Sequence, residues 1–281
     1  MIKILFLALG LGCSVTTFAA DPSFKHVVVV VFENANYQDA VSQPFFAQVA
    51  KQGSLFTQFI AEAHPSQANY IAMIGGDTLG VLGDNSVNLN AQHLGNLLEK
   101  RGLDWKAYAE DLPSACFLGA SNGKYARKHV PFYSFTNVQN NPAECAKVVN
   151  ANLFQKDWDS DSLPAVSFYI PNLDHDGHDT GAAFASNWFA TAFGSDLANS
   201  KKLKDTLFVV TFDESKSFLG PNLIYTAFIG ANVMPGTVVS TMTTHYSVLK
   251  MIETGFGLGN LGKKDASALP ITGIWQAQAG Q

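Results

Sequence analysis

Residues 25–34 read KHVVVVVFEN, and this stretch determines the class of fold. Its unbroken run of valines shows no alternation of polar and apolar positions. Such a run is typical of a strand that is buried on both faces, as strands of a parallel sheet are. Polar residues bound the run on each side. We therefore predict a central parallel strand here, followed directly by Glu33 and Asn34.

Four more short apolar runs follow, and segments with helical spacing of apolar residues lie among them. The predicted strands are WKAYAE at 105–110, PAVSFYI at 164–170, TLFVVTF at 206–212 and IYTAFIG at 224–230. The predicted helices are FFAQVAKQG at 45–53, AQHLGNLLEKRG at 91–102 and SNWFATAFGSDLANS at 186–200. Strands that alternate with helices predict an α/β fold: a mostly parallel central sheet with helices on both faces.

Length and composition favour one globular domain over residues 21–281. The chain has 281 residues, of which 47% are hydrophobic and 15% charged, enough for a sizeable core. We find neither an internal repeat nor a linker rich in Pro, Gly or Ser. The formal net charge of −5 argues against nucleic acid as the main partner, because binding to a phosphate backbone needs a basic face.

The first twenty residues have the pattern of a signal peptide. Lys3 precedes the apolar segment ILFLALGLG, and TFA with Ala20 offers small residues for cleavage after Ala19 or Ala20. We therefore expect an exported protein, periplasmic or secreted. The apolar segment is too short to span a bilayer, so we expect no stable membrane insertion. The alternative, a lipoprotein signal at LGLGC with Cys13 acylated, fits less well because Gly10 stands where such signals carry leucine.

Removal of the signal leaves two cysteines, Cys116 and Cys145. An even pair in an exported protein predicts a disulfide. Two buried free thiols are the alternative.

Polar residues follow three of the predicted strands. Glu33 and Asn34 follow the first, Pro171 and Asn172 follow PAVSFYI, and Asp213 and Glu214 follow TLFVVTF. In open parallel sheets the ligand crevice lies at the carboxyl ends of the strands. Crowded carboxylates need a compensating cation, and oxygen ligands suit a divalent metal. The sequence thus predicts a metal site, whereas the alternative is that each acidic residue ends its strand in solvent.

A second polar cluster occupies the loop NLDHDGHDTG at residues 172–181, where Gly177 allows a tight turn. Its titratable residues are Asp174, His175, Asp176, His178 and Asp179. Imidazole and carboxylate groups together suit a divalent metal or a phosphate site. A solvated loop with local hydrogen bonds is the alternative.

Ser66 lies in HPSQANYIAMIGG at 64–76, before a segment with helical spacing. It is a good N-cap, and that role alone would explain it. A helix N-terminus also attracts phosphate, and a serine beside a metal becomes a nucleophile. The two roles are compatible. His245, just before another helical pattern, is by itself more typical of a capping or packing residue.

Five motifs in order resemble one known family. They are FENANY, HPSQANYIAMIGG, PNLDHDGHDT, VVTFDES and THYSVLKMIETGFGLGNLG, and the likeness runs from about Val27 to Ala268. Together they resemble the phosphoesterase family of bacterial and fungal acid phosphatases and phospholipases C, within the alkaline phosphatase superfamily. The resemblance implies an alkaline phosphatase-like fold and a metal-assisted phosphoryl transfer through a phosphoserine.

The resemblance also implies a set of site residues. The catalytic residues are Ser66 as nucleophile, Asn69 as a phosphate-holding amide, His175, His178 and His245. The metal ligands are Glu33, Asn34, Asp213 and Glu214, with Asp174, Asp176 and Asp179 possible at a second site. His64, Glu110 and His129 also fall in family-like segments and would contact the metal ligands or the phosphate, and each of them could instead be structural. Two patterns of site residues fit the loop at 172–181. The family pattern His-x-x-His-Asp implies His175, His178 and Asp179, whereas the pattern Asp-x-x-x-His of more distant superfamily members implies Asp174 and His178.

The function expected from the resemblance is an exported, metal-dependent acid phosphatase that hydrolyses small phosphomonoesters, with one or two metal ions. The first alternative is a phosphodiesterase of the phospholipase C type. The second is a non-catalytic protein that binds phosphate or metal, although pure binding would not require the Ser66 hydroxyl. The sequence gives no information on oligomeric state.

Overall fold

The valine run forms the central strand β1 (His26–Phe32) of an eight-stranded sheet. The computed structural model describes residues 20–277, so the predicted signal segment with Cys13 lies outside the described residues, apart from Ala20. Within the described range, every helix is too short or too polar to cross a bilayer.

The sheet is parallel except at one strand. The other strands are β2 (Ser54–Phe56), β3 (Trp105–Ala109), β4 (Ser121–Asn122), β5 (Tyr125–Ala126), β6 (Val148–Asn150), β7 (Val166–Ile170), β8 (Thr206–Phe212), β9 (Thr226–Gly230) and β10 (Thr237–Val239). The order is β10-β2-β9-β8-β1-β7-β3-β6, and β4 and β5 form a separate hairpin. Strand β9 runs antiparallel to both of its neighbours. No helix lies between β8 and β9, and a parallel return would need a crossover connection.

Helices connect the strands. They are α1 (Tyr37–Val41), α2 (Pro44–Gln52), α3 (Gln67–Gly75), α4 (Leu94–Lys100), α5 (Thr136–Gln139), α6 (Pro142–Cys145), α7 (Phe154–Asp159), α8 (Ala182–Leu197), α9 (Ser200–Leu203), α10 (His245–Phe256) and α11 (Lys264–Ser267). Short 3₁₀ turns lie at Arg127–His129, Pro131–Ser134 and Ala151–Leu153. The three helices predicted from spacing correspond to α2, α4 and α8. Helix α4 begins later than predicted because the side chain of His93 caps it at Gly95 N.

Both faces of the central strand are covered, as the valine run predicts. No side chain from Val27 to Phe32 is more than 2% exposed. On one face, Phe32 packs edge-on against Phe46 of α2 and Phe189 of α8. Phe168 of β7 lies in register with Val29, whose side chain points to the opposite face, and it packs on Phe132. The predicted α/β fold with helices on a mostly parallel sheet is therefore confirmed.

A disulfide joins Cys116, in the loop after β3, to Cys145 at the end of α6. The predicted pairing is thus confirmed. The two residues are 29 positions apart in sequence, so the bond closes a medium-sized loop.

We expect the double variant Cys116→Ala/Cys145→Ala to have a free energy of unfolding about 3.5 kcal/mol lower than that of the wild type. The reason is that opening this loop restores conformational freedom to the unfolded chain. Urea denaturation of both proteins measures the difference. Equal unfolding midpoints for the two proteins would contradict the expectation.

Candidate active site

Ser66 precedes α3, but its hydroxyl does not cap the helix. Its backbone is helical, with φ −45° and ψ −51°, and its side chain makes no capping hydrogen bond. Instead, Ser66 Oγ donates to Glu33 Oε1 at 2.5 Å and lies 3.2 Å from Glu214 Oε1. The residue is only 1% exposed. Helix capping therefore does not explain the presence of a serine at this position.

The strand register brings the predicted acidic residues together. Phe32 of β1 lies beside Phe212 of β8, so the residues that follow the two strands emerge at one edge of the sheet. Asp213 N donates to the carbonyl of Phe32, and Asn34 N donates to Asp213 Oδ1 at 3.2 Å. Glu33 and Glu214 both contact Ser66, and Asn34 and Asp213 are hydrogen-bonded to each other, so the four predicted metal ligands lie with the serine at one edge of the sheet.

Two further residues, His129 and Asp176, join this cluster. One ligand atom from each of Glu33, His129 and Asp176 lies within 4.8 Å of the others. His129 Nε2 lies 2.8 Å from Glu33 Oε1, and His129 Nδ1 lies 3.5 Å from Asp176 Oδ2. The ring of Tyr70, from α3, stacks on that of His129 with centroids 4.9 Å apart. The helix behind Ser66 therefore also fixes the orientation of this histidine.

The electrostatics of the cluster are those of crowded, buried carboxylates. Burial and the charge of Glu33 raise the pKa of both Asp176 and Asp213 well above the usual value. Burial raises the pKa of Glu214 to about 7. Burial also raises the pKa of Glu33, but His129 and Lys128 outweigh this effect and hold it at about 2. The protein alone thus supplies too little positive charge for all four carboxylates to ionise together.

The arrangement of donor atoms fits a divalent metal ion. Three buried ligand atoms have no hydrogen-bond partner within the described chain: Glu33 Oε2, Asn34 Oδ1 and Asp213 Oδ2. His129 Nε2, Asp176 Oδ2 and Glu214 Oε2 each lie near a carboxylate or a histidine of the site, but without the geometry of a good hydrogen bond. Buried polar atoms are normally paired, so a cluster of unpaired ones needs a specific explanation. Carboxylate, amide and imidazole donors together suit a hard or borderline divalent cation. A bound cation would satisfy these atoms and offset the carboxylate charge.

A lysine and an aspartate lie at the N-terminal end of α3. Asp84 Oδ1 accepts from Gln67 N at 3.0 Å, and Asp84 Oδ2 accepts from Lys128 Nζ at 2.7 Å. Lys128 Nζ also lies 3.6 Å from Glu33 Oε1. The Asp84 carboxylate therefore caps the N–H of Gln67 at the start of the helix. It also holds the ammonium group of Lys128 near Glu33, which contacts Ser66.

The acidic side chains of the loop after β7 point in different directions. Asp176 points into the cluster, with Gly177 at φ +98° making the tight turn. Asp174 and Asp179 instead pair with Lys124 at 2.6 and 2.9 Å. The structure thus brings one of the three candidate second-site carboxylates to Ser66 and leaves the other two at the surface.

The two histidines of this loop also separate. His175 Nδ1 lies 2.6 Å from Glu110 Oε2, and the His175 ring stacks on Trp188 with centroids 5.0 Å apart. His178 Nδ1 pairs with Asp179 Oδ1 at 2.7 Å, and His178 lines the cavity beside the cluster. In this arrangement His175 anchors the loop, whereas His178 faces the space that a substrate could enter.

Asn69 and His245 have their polar atoms bound to the protein itself. Asn69 Oδ1 accepts from the backbone N–H groups of Glu62 and Ala63. His245 Nδ1 lies 2.5 Å from Glu62 Oε2, and its Nε2 lies 3.0 Å from the carbonyl of Phe212. These contacts fix the segment before Ser66 and the end of β8, so the structure gives both residues a supporting position.

A cavity of about 570 Å³ opens beside the cluster. Its walls include Asn34, Glu214, His178 and Phe218. The Phe218 ring packs on that of His64 with centroids 4.5 Å apart, and His64 Nδ1 lies 2.6 Å from Glu214 Oε2. The cavity is large enough for the leaving group of a small ester.

Reasoning from strand ends missed the contributions of Lys128, His129 and Asp84. His129 lies in a 3₁₀ turn, and Asp84 in the long loop after α3, so neither follows a strand. The segment RKHVPF offered the one available signal, a family-like stretch around His129. That signal did not indicate whether His129 would reach the metal cluster.

The chain is similar in sequence to known proteins. The sequence pattern of the Phosphoesterase family matches residues 35–259. The chain is 40% identical over 263 residues to a phosphatidylinositol-3-phosphatase of Mycobacterium tuberculosis, with 92% of this chain and 85% of that protein covered. It is 33% identical over 258 residues to a probable acid phosphatase of Kluyveromyces lactis, with 88% of this chain and 61% of that protein covered.

The fold is also shared with solved structures. A protein in the alkaline phosphatase superfamily from Vibrio parahaemolyticus superimposes with a TM-score of 0.62 at 14% identity, covering 90% of this chain and 71% of that one. At this identity the likeness shows the fold alone. The predicted alkaline phosphatase-like architecture is confirmed.

We expect Asp176→Asn to lower the affinity for a divalent metal by at least about tenfold, because it removes a ligand charge from the cluster. Asp174→Asn is the matched control, since Asp174 pairs with Lys124 outside the cluster. Equilibrium dialysis against Mn²⁺ or Zn²⁺, followed by metal analysis, measures both affinities. Equal affinities for the two variants would remove Asp176 from the site.

Proposed function

Because the chain belongs to the phosphoesterase family and is a phosphoric ester hydrolase, we propose that it is a metal-dependent acid phosphatase. It hydrolyses small phosphomonoesters through a phosphoserine at Ser66. One observation carries the proposal: the buried Ser66 hydroxyl is not used as a cap and lies against Glu33 and Glu214. The family membership sets aside the alternative of a non-catalytic binding protein.

The metal would be held by Glu33, Asn34, Asp213 and Glu214, with His129 and Asp176 completing the cluster. When bound, it supplies positive charge that favours the ionised serine and stabilises the oxygens of the transferring phosphoryl group. All other contributions come from side chains of the protein.

Ser66 Oγ passes its proton to Glu214 Oε1, 3.2 Å away, and forms a bond to phosphorus as the bond from phosphorus to the ester oxygen breaks. The leaving oxygen takes up a proton, and His178 on the cavity wall is the histidine best placed to deliver it. Water then cleaves the phosphoserine and restores the hydroxyl. Lys128, held by Asp84, offsets charge on the phosphoryl oxygens. Catalysis of this kind depends mostly on positioning and charge stabilisation.

The 40% identical relative named as a phosphatidylinositol-3-phosphatase supports a second substrate class, the phosphate monoester of an inositol lipid. The exposed Phe218, 72% accessible on the cavity rim, is compatible with an apolar group near the phosphate. Both substrate classes are phosphomonoesters, so the same chemistry at Ser66 applies.

Export is part of the proposal. The pattern of residues 1–20 supports it, and so does the disulfide between Cys116 and Cys145, a bond that persists in oxidising compartments.

We expect Ser66→Ala to lower kcat by about a thousandfold or more, because the nucleophile and the metal cluster act as one unit. Ser186→Ala is the matched control. Ser186 is also a fully buried serine, but its hydroxyl accepts a hydrogen bond from Phe45 N and does not contact the acidic cluster. Turnover of p-nitrophenyl phosphate measures both. Near-normal turnover by the Ser66 variant would defeat the assignment.

We expect p-nitrophenyl phosphate to be hydrolysed with a kcat/KM at least tenfold above that of p-nitrophenylphosphorylcholine. The two esters share a leaving group and differ in whether the phosphate is a monoester or a diester. Steady-state kinetics on both substrates provide the ratio. The reverse preference would favour the phospholipase C alternative.

A further inference from the structure

A second buried carboxylate pair lies at the C-terminal end of α10, apart from the metal cluster. Glu253, in the last turn of this helix, is only 2% exposed. Its carboxylate lies against that of Asp265 and near the N–H of Leu261, but neither oxygen accepts a hydrogen bond of good geometry within the described chain. It lines a cavity of about 210 Å³ together with Lys250, Asn260 and Asp265. The mechanism proposed above uses none of these residues.

Asp265 is fixed in place by its surroundings. It is fully buried, and its carboxylate accepts from Leu261 N at 2.6 Å and Lys263 N at 2.9 Å. A Cβ atom at Gly76 would come within 2.6 Å of Asp265 Oδ1, so only glycine leaves room for this carboxylate. Asp265 therefore presents a rigid negative charge to the cavity that Glu253 faces.

The neighbouring lysines do not neutralise Glu253. Lys250 Nζ donates to the carbonyls of Ala266 and Ala268, and Lys263 Nζ donates to those of Gly75 and Gln92. The charge of Lys250 lowers the pKa of Glu253, but by less than burial and the charge of Asp265 raise it. The cationic groups nearest to the cavity are thus bound to backbone oxygens.

The helix itself adds to the negative potential. The carboxyl end of a helix carries a partial negative charge, which favours cations there and disfavours carboxylates. The last turn of α10 has no basic residue, and it contains Glu253. Burial, followed by the charge of Asp265, raises the pKa of Glu253 to about 8. A proton could relieve one of its oxygens, but the other oxygen and the helix end would remain uncompensated.

We propose that this cavity is a second cation site, in which Glu253 and Asp265 bind a divalent, oxygen-preferring ion of the Ca²⁺ class. The available donors are oxygens, and Ca²⁺ accepts six to eight oxygen ligands in flexible geometry, including water and carbonyl groups. Asn260 lines the same cavity and offers a further amide oxygen. The ion ties the end of α10 to α11, which carries Asp265, and so acts on stability rather than on catalysis.

The test uses the mature chain with Glu33→Gln and Asp213→Asn, so that the metal cluster at Ser66 does not contribute. We expect equilibrium dialysis with ⁴⁵Ca²⁺ to show one ion per chain in this background. Adding Glu253→Gln should lower that affinity at least tenfold, and Asp265→Asn should act in the same direction. Asp159→Asn is the matched control, because Asp159 is the last residue of α7 but is exposed. It should leave the affinity unchanged.

Thermal unfolding gives a second measurement. Ca²⁺ should raise the Tm of the background protein, and Glu253→Gln should abolish the shift, since a ligand that binds only the folded state stabilises it. Near-UV circular dichroism checks that each variant is folded. If Glu253→Gln does not fold, the Ca²⁺ affinity and Tm shift of Asp265→Asn test the proposal instead. Absence of Ca²⁺ binding in the background protein would overturn the proposal and leave a shared proton between the two carboxyls. Binding that survives both substitutions would overturn it as well.

Discussion

The structure depends on the crowding of like charges at one edge of the sheet. Glu33, Asp176, Asp213 and Glu214 are each at most 3% exposed, and three of them have a raised pKa because burial and neighbouring carboxylates oppose their ionisation. A folded chain tolerates such a group only if something positive compensates it. The ligand atoms without hydrogen-bond partners around Ser66 lie where a bound cation would supply that compensation. The chemistry of the site follows from this electrostatic requirement.

The sheet makes the crowding possible. Strands β8, β1 and β7 are adjacent and parallel, so the residues that follow each strand lie at the same edge of the sheet. Helix α3 then delivers Ser66 from the side. The segment before it is tied to the same edge, because Glu62 contacts His245, and His245 in turn contacts the carbonyl of Phe212. Rigid elements therefore define the positions of the serine and of its neighbours.

Much of this was accessible from the sequence, for identifiable reasons. A run of valines indicates a strand that is buried on both faces. Polar residues directly after such a strand indicate the edge of the sheet where ligands bind, so Glu33 and Asp213 could be predicted as candidate site residues. Features set by tertiary contact were not accessible. The direction of β9 depends on the absence of a crossover helix. The inward turn of Asp176, against the outward pairing of Asp174 and Asp179 with Lys124, depends on a single loop conformation. Similarly, Asn69 and His245 have the right residue types, but their polar atoms are already bound within the protein.

The stacking of Tyr70 on His129 links two parts of the site that are far apart in sequence. Tyr70 lies one turn along the helix from Ser66, so a small displacement of that helix would carry the serine and the imidazole in the same direction. Their mutual spacing would then be preserved while their distance to the sheet edge changed. The serine and the imidazole are thus linked to each other through α3, and both also contact Glu33 at the edge of the sheet, so the gap between that helix and the sheet edge sets the width of the site.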